Sequence, residues 1–188
     1  MASLVLAGNT SGSITISSPA VSGTNTLTLP DNTGTILTSA SSVASSQLPT
    51  GSLLQVVNAT YGTLVTNNTS TYADTGLTAT ITPKFATSTI LVLVSQQTKK
   101  SASNATNGVN IKLFRNSTDL GRRVFVQGYT NTAIENYSMA TFQYLDSPAT
   151  TSATTYKTQF ANDFNGNGVS VQADNFGIST ITLMEIAA

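Results

Sequence analysis

Short runs in which apolar and polar residues alternate recur along the chain, the pattern of strands with one buried face. Near the N-terminus Ile14 and Ile16 alternate with Ser and Thr, and Leu27 and Leu29 alternate with Thr26 and Thr28. The stretch SPAVSGTNTLTLPDNTGTILTS, residues 18–39, states one pattern twice: a Pro-x-x-x-Gly segment, then a four-residue run ending once in Leu29 and once, after Ile36 and Leu37, in Thr38. Proline presets φ and glycine admits positive φ, so each Pro-to-Gly segment is turn chemistry. Further on, strands are predicted over 53–57, 61–65, 77–81, 89–95, 110–114, 123–129, 137–145, 156–160, 169–173 and 179–186. Ile90-Leu91-Val92-Leu93-Val94 is the most apolar run and is expected in a central strand. Asn107-Gly108, Asp146-Ser147-Pro148 and Asn165-Gly166-Asn167-Gly168 mark turns between strands. No segment sustains a 3.6-residue period, and only a short helical turn is predicted, near 41–47.

This spacing predicts an all-β, jelly-roll-like antiparallel sandwich. Three segments separate: a β-repeat arm over 1–39, a small and polar linker over 40–52 (ASSVASSQLPTGS), and a head over 53–188 that holds every Phe and Tyr. The arm is too small to bury an apolar face alone, since an isolated hairpin is marginal in water. Several copies packed about an axis would bury Ile14, Ile16, Leu27, Leu29, Ile36 and Leu37, which predicts a symmetric oligomer. The last strand, with Ile181, Leu183 and Ile186, is either a core strand or a strand with one face on the subunit axis.

Composition narrows the picture. Apolar residues make up 39% of the 188 and charged residues 9%, so the polar surface is built mostly from Thr, Ser, Asn and Gln. Eight basic and eight acidic residues cancel, leaving no electrostatic footprint for nucleic acid or an anionic membrane. With no Cys and no His, disulfides, thiolate metal sites and the commonest general base are excluded. The opening MASLVLAGNTSG lacks the basic flank and apolar length of a signal peptide, and no apolar run is long enough to span a bilayer. The expected product is made soluble in the cytoplasm, without membrane insertion.

Candidate chemistry is sparse. The carboxylates Asp31, Asp74, Asp119, Glu135, Asp146, Asp163, Asp174 and Glu185 lie mostly in turn-like contexts and do not announce a hydrolytic pair. No catalytic residue and no cofactor is assigned. Asp163-Phe164-Asn165-Gly166-Asn167-Gly168 fits the start of a calcium loop, with Asp174 at its twelfth position, making Asp163, Asn165, Asn167 and Asp174 candidate metal ligands. Its flanks are strand-like, and repeated Asn-Gly equally makes a plain hairpin. The pairs Lys99-Lys100 and Arg122-Arg123 are expected at strand ends or loops, where charge keeps edges soluble. Sequons such as 58–60 and 116–118 are what chance places in so Asn- and Thr-rich a chain. Tyr61, Tyr72, Tyr129, Tyr137, Tyr144 and Tyr156 either pack in the sandwich or offer a sugar-binding surface.

LVLAGNTSGSITISSPAVSGTNTLTLPDNTGTILTS resembles the strand-turn repeat of virion proteins of tailed bacteriophages, especially marine and cyanobacterial phages. ATSTILVLVSQ (86–96), VNIKLFRNSTDLG (109–121), YLDSPATTSATTYKTQ (144–159) and STITLMEIAA (179–188) are similar to small C-terminal modules of the same proteins. The Phe-Arg-Asn turn at 114–116 and the apolar final strand also resemble trimeric jelly-roll heads of the C1q and tumour-necrosis-factor type. The resemblance implies a non-enzymatic virion protein and a homotrimer. Its implied partners are tail, baseplate or major capsid proteins, with a host surface glycan as a further one. It fits a tail fibre or adhesin module, or a capsid decoration protein. With one short copy of the repeat, 1–39 reaches at most on the order of 100 Å.

Overall fold

In the computed structural model, which describes residues 3–7, 11, 13–17, 43–102, 105–164, 168–174 and 177–188, the chain divides into two units, 1–42 and 43–188. In the first unit β1 (Ser3–Ala7) and β2 (Ser13–Ser17) pair antiparallel, in a register that sets Leu4 opposite Ile16 and Leu6 opposite Ile14. Leu27, Leu29, Ile36 and Leu37 lie outside the described residues.

In the second unit the alternating runs become β3 (Leu53–Tyr61), β4 (Val65–Asn67), β5 (Ala73–Ile81), β6 (Thr89–Lys100), β7 (Val109–Arg115), β8 (Thr118–Gln127), β9 (Asn136–Asp146), β10 (Thr154–Asn162), β11 (Val169–Val171) and β12 (Ser179–Ile186). They form the expected all-β antiparallel sandwich. One sheet runs β5-β10-β7-β8. The other is built on the 12-residue β6, whose one side pairs with β9 along Ile90–Lys100. The other side is shared, β12 taking Thr89–Ser95 and β11 taking Thr98–Lys100, with β3 beyond β12 and β4 beyond β11. Two sheets of effectively four strands, with neighbours distant in sequence, make the jelly-roll order.

The topology sorts the loops. Residues 43–52, the loop 82–88 and the C-terminus share one end, where Gly51 N–H donates to Ala187 O (2.8 Å) and Ala187 N–H to Ser52 O (2.9 Å). The connection 128–135 and the described residues 101–102, 105–108, 163–164, 168, 172–174 and 177–178 gather at the opposite end.

Several boundaries differ from expectation because polar residues occur inside strands, at outward positions in β3 and at inward ones in β6. The expected strands 53–57 and 61–65 are instead one strand through Tyr61 and the short β4. The central strand, expected to stop at Ser95, continues through Lys100 with Gln96, Thr98 and Lys100 all facing inward and buried. Lys100 is therefore not the solvated strand-end charge expected of it. Its ammonium donates to Thr130 Oγ1 (2.7 Å), Thr132 O (2.6 Å) and Ile134 O (3.3 Å), which substitute for water around the buried charge. Arg122 and Arg123 lie in the middle of β8, not at a strand end or in a loop as expected, although β8 is an edge strand of its sheet.

A polar layer crosses the core. Thr75 and Thr158 hydroxyls meet at 2.6 Å, Thr158 Oγ1 donates to Gln96 Oε1 (2.8 Å), and Gln96 Nε2 and Gln172 Nε2 donate to Ser179 Oγ (3.2 and 2.8 Å). All five side chains are buried. On the side nearer the termini Leu77, Ile90, Val92, Leu113, Tyr156, Ile181 and Leu183 pack together. On the loop side Val109, Ile111, Phe160, Val169 and Val171 do so.

Candidate functional site

The two outer faces of the sandwich carry different chemistry. On the β10 sheet, Lys157 pairs with Asp74 (2.9 Å), Gln159 donates to the same carboxylate, and Lys112 pairs with Asp119 (2.7 Å) beneath the Tyr72 ring. Arg122 stacks on the exposed Phe125 ring, 4.1 Å from its centroid.

The outer face of the β6 sheet is graded along its length. Its first full row, read through the register, is Leu145, Leu91, Met184 and Val56, and Ile186 and Leu53 lie opposite each other beside it. Leu53, Val56 and Leu145 are each at least half exposed (54, 50 and 56%), an unusual concentration for one sheet end. This end is the one that residues 43–52 join. Next come Gln143-Leu93-Thr182-Asn58 and Thr141-Ser95-Thr180-Thr60, amide and hydroxyl rows around a shallow depression of about 430 Å³. Across these three rows there is no charged side chain. Charge enters only at the loop end, in the row Tyr137-Lys99-Ser170-Thr66.

At that end a second depression, of about 330 Å³, is lined from five separate segments, by Asn68, Lys99, Glu135, Ser170 and Asp174 among others. Lys99 Nζ stands 3.0 Å from Glu135 Oε1 and 3.9 Å from Asp174 Oδ1, and 4.9 Å from the centroid of the Tyr137 ring. Hydrogen bonds to Tyr137 and Glu135 push the Lys99 ammonium well above its ordinary pKa, so it stays charged. A hydrogen bond with Asp174 is the first of the causes that raise the Tyr137 hydroxyl. The end of β6 holds the carboxylate-bearing turns. Lys100 fixes the carbonyl of Ile134, next to Glu135. Gln97 Oε1 accepts from Ala173 N–H (2.7 Å), next to Asp174 at φ 63°. A Cβ at Gly168 would lie 2.2 Å from Asn68 Oδ1, so glycine there keeps room for that amide.

The expected site residues are distributed as follows. Ile181 and Leu183 face the interior and are fully buried, whereas Ile186 falls on the outer face with Met184. Of the calcium-loop candidates, Asn165 and Asn167 lie outside the described residues. Asp163 accepts from Asn110 Nδ2 (2.7 Å), while Asp174 faces Lys99 on the far side of β11. Among the described residues no group of three or more acidic side chains is placed to hold a metal ion. Tyr156 is buried with its hydroxyl on Asp146 (2.6 Å), which Arg115 also binds (2.9 Å). Tyr61 and Tyr144 pack on the core, and Tyr129 and Tyr137 are about half exposed at the loop end. Lys99 and Glu135, which organise the second depression, carried no local motif in the sequence.

No family model matches the chain, and no curated protein does. Solved structures similar in part include the infectious bursal disease virus VP2 subviral particle (15% identity, TM-score 0.40, covering 71% of this chain and 38% of that one), T=1 particles derived from infectious bursal virus (11%, 0.39, 71% and 36%), and dimeric latent PorU from Porphyromonas gingivalis (11%, 0.36, 73% and 14%). This chain thus spans under two fifths of each. Two of the three are viral particle proteins; likeness at this level says nothing about what this chain does.

Proposed function

We propose that the chain is a non-enzymatic structural subunit of a tailed-phage virion, a homotrimeric surface appendage that docks through residues 1–39 and displays the sandwich as its head. The observation that carries the assembly is the outer face of the β6 sheet, uncharged over three full rows. An apolar row at one end, in a protein whose other face bears ion pairs, calls for a neighbour, and a second copy is the neighbour it favours. Residues 43–52 enter the head at this apolar end. The two five-residue strands among the described residues of 1–39 need such company to bury a face. The setting in a phage particle and the three-fold symmetry rest on the resemblance of the opening repeat and of the head segments.

The second reading, a capsid decoration protein that stabilises the head shell, draws on the same outer face, whose apolar row would equally be covered by the surface of a shell. Light scattering on the full chain tests the assembly: a trimer supports it, and a monomer at micromolar concentration removes it. Antibody-gold labelling of intact particles separates the two sites of action. Gold on the tail supports the appendage, and gold over the head supports the decoration protein.

A further inference from the structure

We propose that the depression at the loop end of the β6 sheet, between Glu135, Lys99 and Asp174, is a binding site for a neutral, diol-bearing sugar. This deepens the attachment reading, on which its biological setting rests, but its test reads sugar binding directly.

The chemistry of the lining selects the ligand. Two carboxylates about half exposed (49 and 57%) flank one ammonium. A pair of adjacent sugar hydroxyls can donate to a carboxylate while accepting from Lys99 Nζ, the charge-assisted geometry that makes such contacts strong. Asn68 adds an amide with both a donor and an acceptor, and the Thr66 and Ser170 hydroxyls, 3.0 Å apart, supply further groups of either sense. Tyr137, 47% exposed, presents a ring beside the polar cluster, with its hydroxyl 3.3 Å from Glu135 Oε2. An aromatic face next to fixed acceptors suits the apolar C–H side of a pyranose. Two negative charges against one positive leave the site net negative, so uronates, sialic acids and phosphates are disfavoured.

The site is also built in advance. Gln97 and Lys100, on either side of Lys99, pin the turns that carry Asp174 and Glu135, and Gly168 leaves space for Asn68. Side chains held by such supports bind with less ordering cost than ones on free loops. The position agrees as well: this is the end farthest from residues 43–52, where a docked head would meet a surface.

The test is saturation-transfer NMR on the full chain with methyl glycosides of glucose, galactose, mannose and N-acetylglucosamine, and with glucuronate as the anionic comparison. Transfer to at least one neutral glycoside and none to glucuronate is expected. The double variant Glu135→Gln with Asp174→Asn, and separately Tyr137→Ala, should weaken binding on the order of ten-fold or more. Asp119→Asn on the opposite sheet should leave it unchanged. Absence of transfer from every neutral glycoside, or binding that survives the double variant, overturns the proposal and leaves an ion-pair network only. Light scattering on the same samples keeps the outcomes separate, since a trimer that binds no sugar fails here alone and a monomer that binds sugar fails only the assembly.

Discussion

The β10 sheet turns Asp74, Lys112, Asp119, Arg122 and Lys157 to solvent, while the β6 sheet turns outward leucine, valine, methionine, hydroxyls and amides over three full rows. Their edges differ in the same sense. β8 carries Asp119, Arg122 and Arg123 and shifts register against β7 three times, and β5 is bulged at Gly76 beside Asp74. β3 carries no charge at all, and β9 carries none before its last residue, Asp146. Charge and irregularity are what keep a sheet from recruiting neighbours. One half of this sandwich is protected from association and the other is open to it, although both share one core.

The largest effect is expected from moving charge onto the open face. Leu91→Glu places a carboxylate in the middle of the apolar row, where burial against a second copy would strand it without a partner. The proposed oligomer should dissociate to monomers by light scattering, with the far-UV spectrum of the strands intact. Thr80→Glu, on the face that already carries charge, should leave the oligomer whole. Equal behaviour of the two variants would erase the distinction between the faces.

Next comes Gly76→Ala, at the bulge that protects β5. Gly76 sits at φ 84°, and a Cβ there would lie 2.2 Å from Cε1 of Tyr61, which reaches it from the β6 sheet. Left-handed strain and overpacking together should cost ~3 kcal/mol in denaturant unfolding. A shift under ~1 kcal/mol would mean the Tyr61 ring can move aside, and that the bulge is not locked between the sheets.

How much of this was legible in the chain depended on which way each polar residue pointed. The strand 179–186 is legible end to end because Ile181 and Leu183 alternate with Thr180 and Thr182. The pattern of β6 stops at Ser95 because Gln96, Thr98 and Lys100 interrupt the apolar alternation while still facing inward, each satisfied by partners distant in sequence. The pattern of β3 breaks in two because Asn58 and Thr60 look like turn residues but are simply its outward positions. β1 is not among the expected strands, although Leu4 and Leu6 alternate. At the proposed sugar site the sequence offers Asp174 for calcium, Tyr137 for stacking and Glu135 as one of eight scattered carboxylates. Lys99 looked like a solubility charge. Glu135, Lys99 and Asp174 come from three separate loops and strand ends, and only the closed register of β6 with β9 and β11 brings them together.

The polar layer offers a smaller test of the shared core. Ser179→Ala removes the hydroxyl that receives Gln96 Nε2, Gln172 Nε2 and, at 3.0 Å, the Gln97 N–H. Stranding buried donors should cost ~2 kcal/mol, read as a lower denaturant midpoint at unchanged slope. No change would show that the layer re-pairs without its hub.

Acid sensitivity should follow Glu185, not the exposed acids. Burial alone would raise its carboxyl, but donors, Gln55 first, then the Ser88 side chain and the backbone N–H groups of Lys84 and Phe85, hold it below its ordinary 4.5. A folded value below the unfolded one means that its stabilisation is present above about 4.5 and is lost as pH falls through the lower, folded value. Glu185→Gln should therefore flatten the acid limb of stability against pH below that point, a limb that chemical denaturation at stepped pH resolves.

The smallest effect is expected on the charged face itself. Asp74 is also held below the usual carboxylate range: partial burial raises it, and hydrogen bonds from Lys157 and Gln159 outweigh that. Its side chain is nonetheless 57% exposed, so water and salt screen most of what the ion pair contributes. Asp74→Asn should change stability by less than ~0.5 kcal/mol and leave the oligomer untouched. A larger loss of stability would mean that the ion pairs of this face bind the sheet together. A variant that associates further would be the sharper result, because it would show that the charges on the β10 sheet contribute little to its own fold and serve to keep other copies off it.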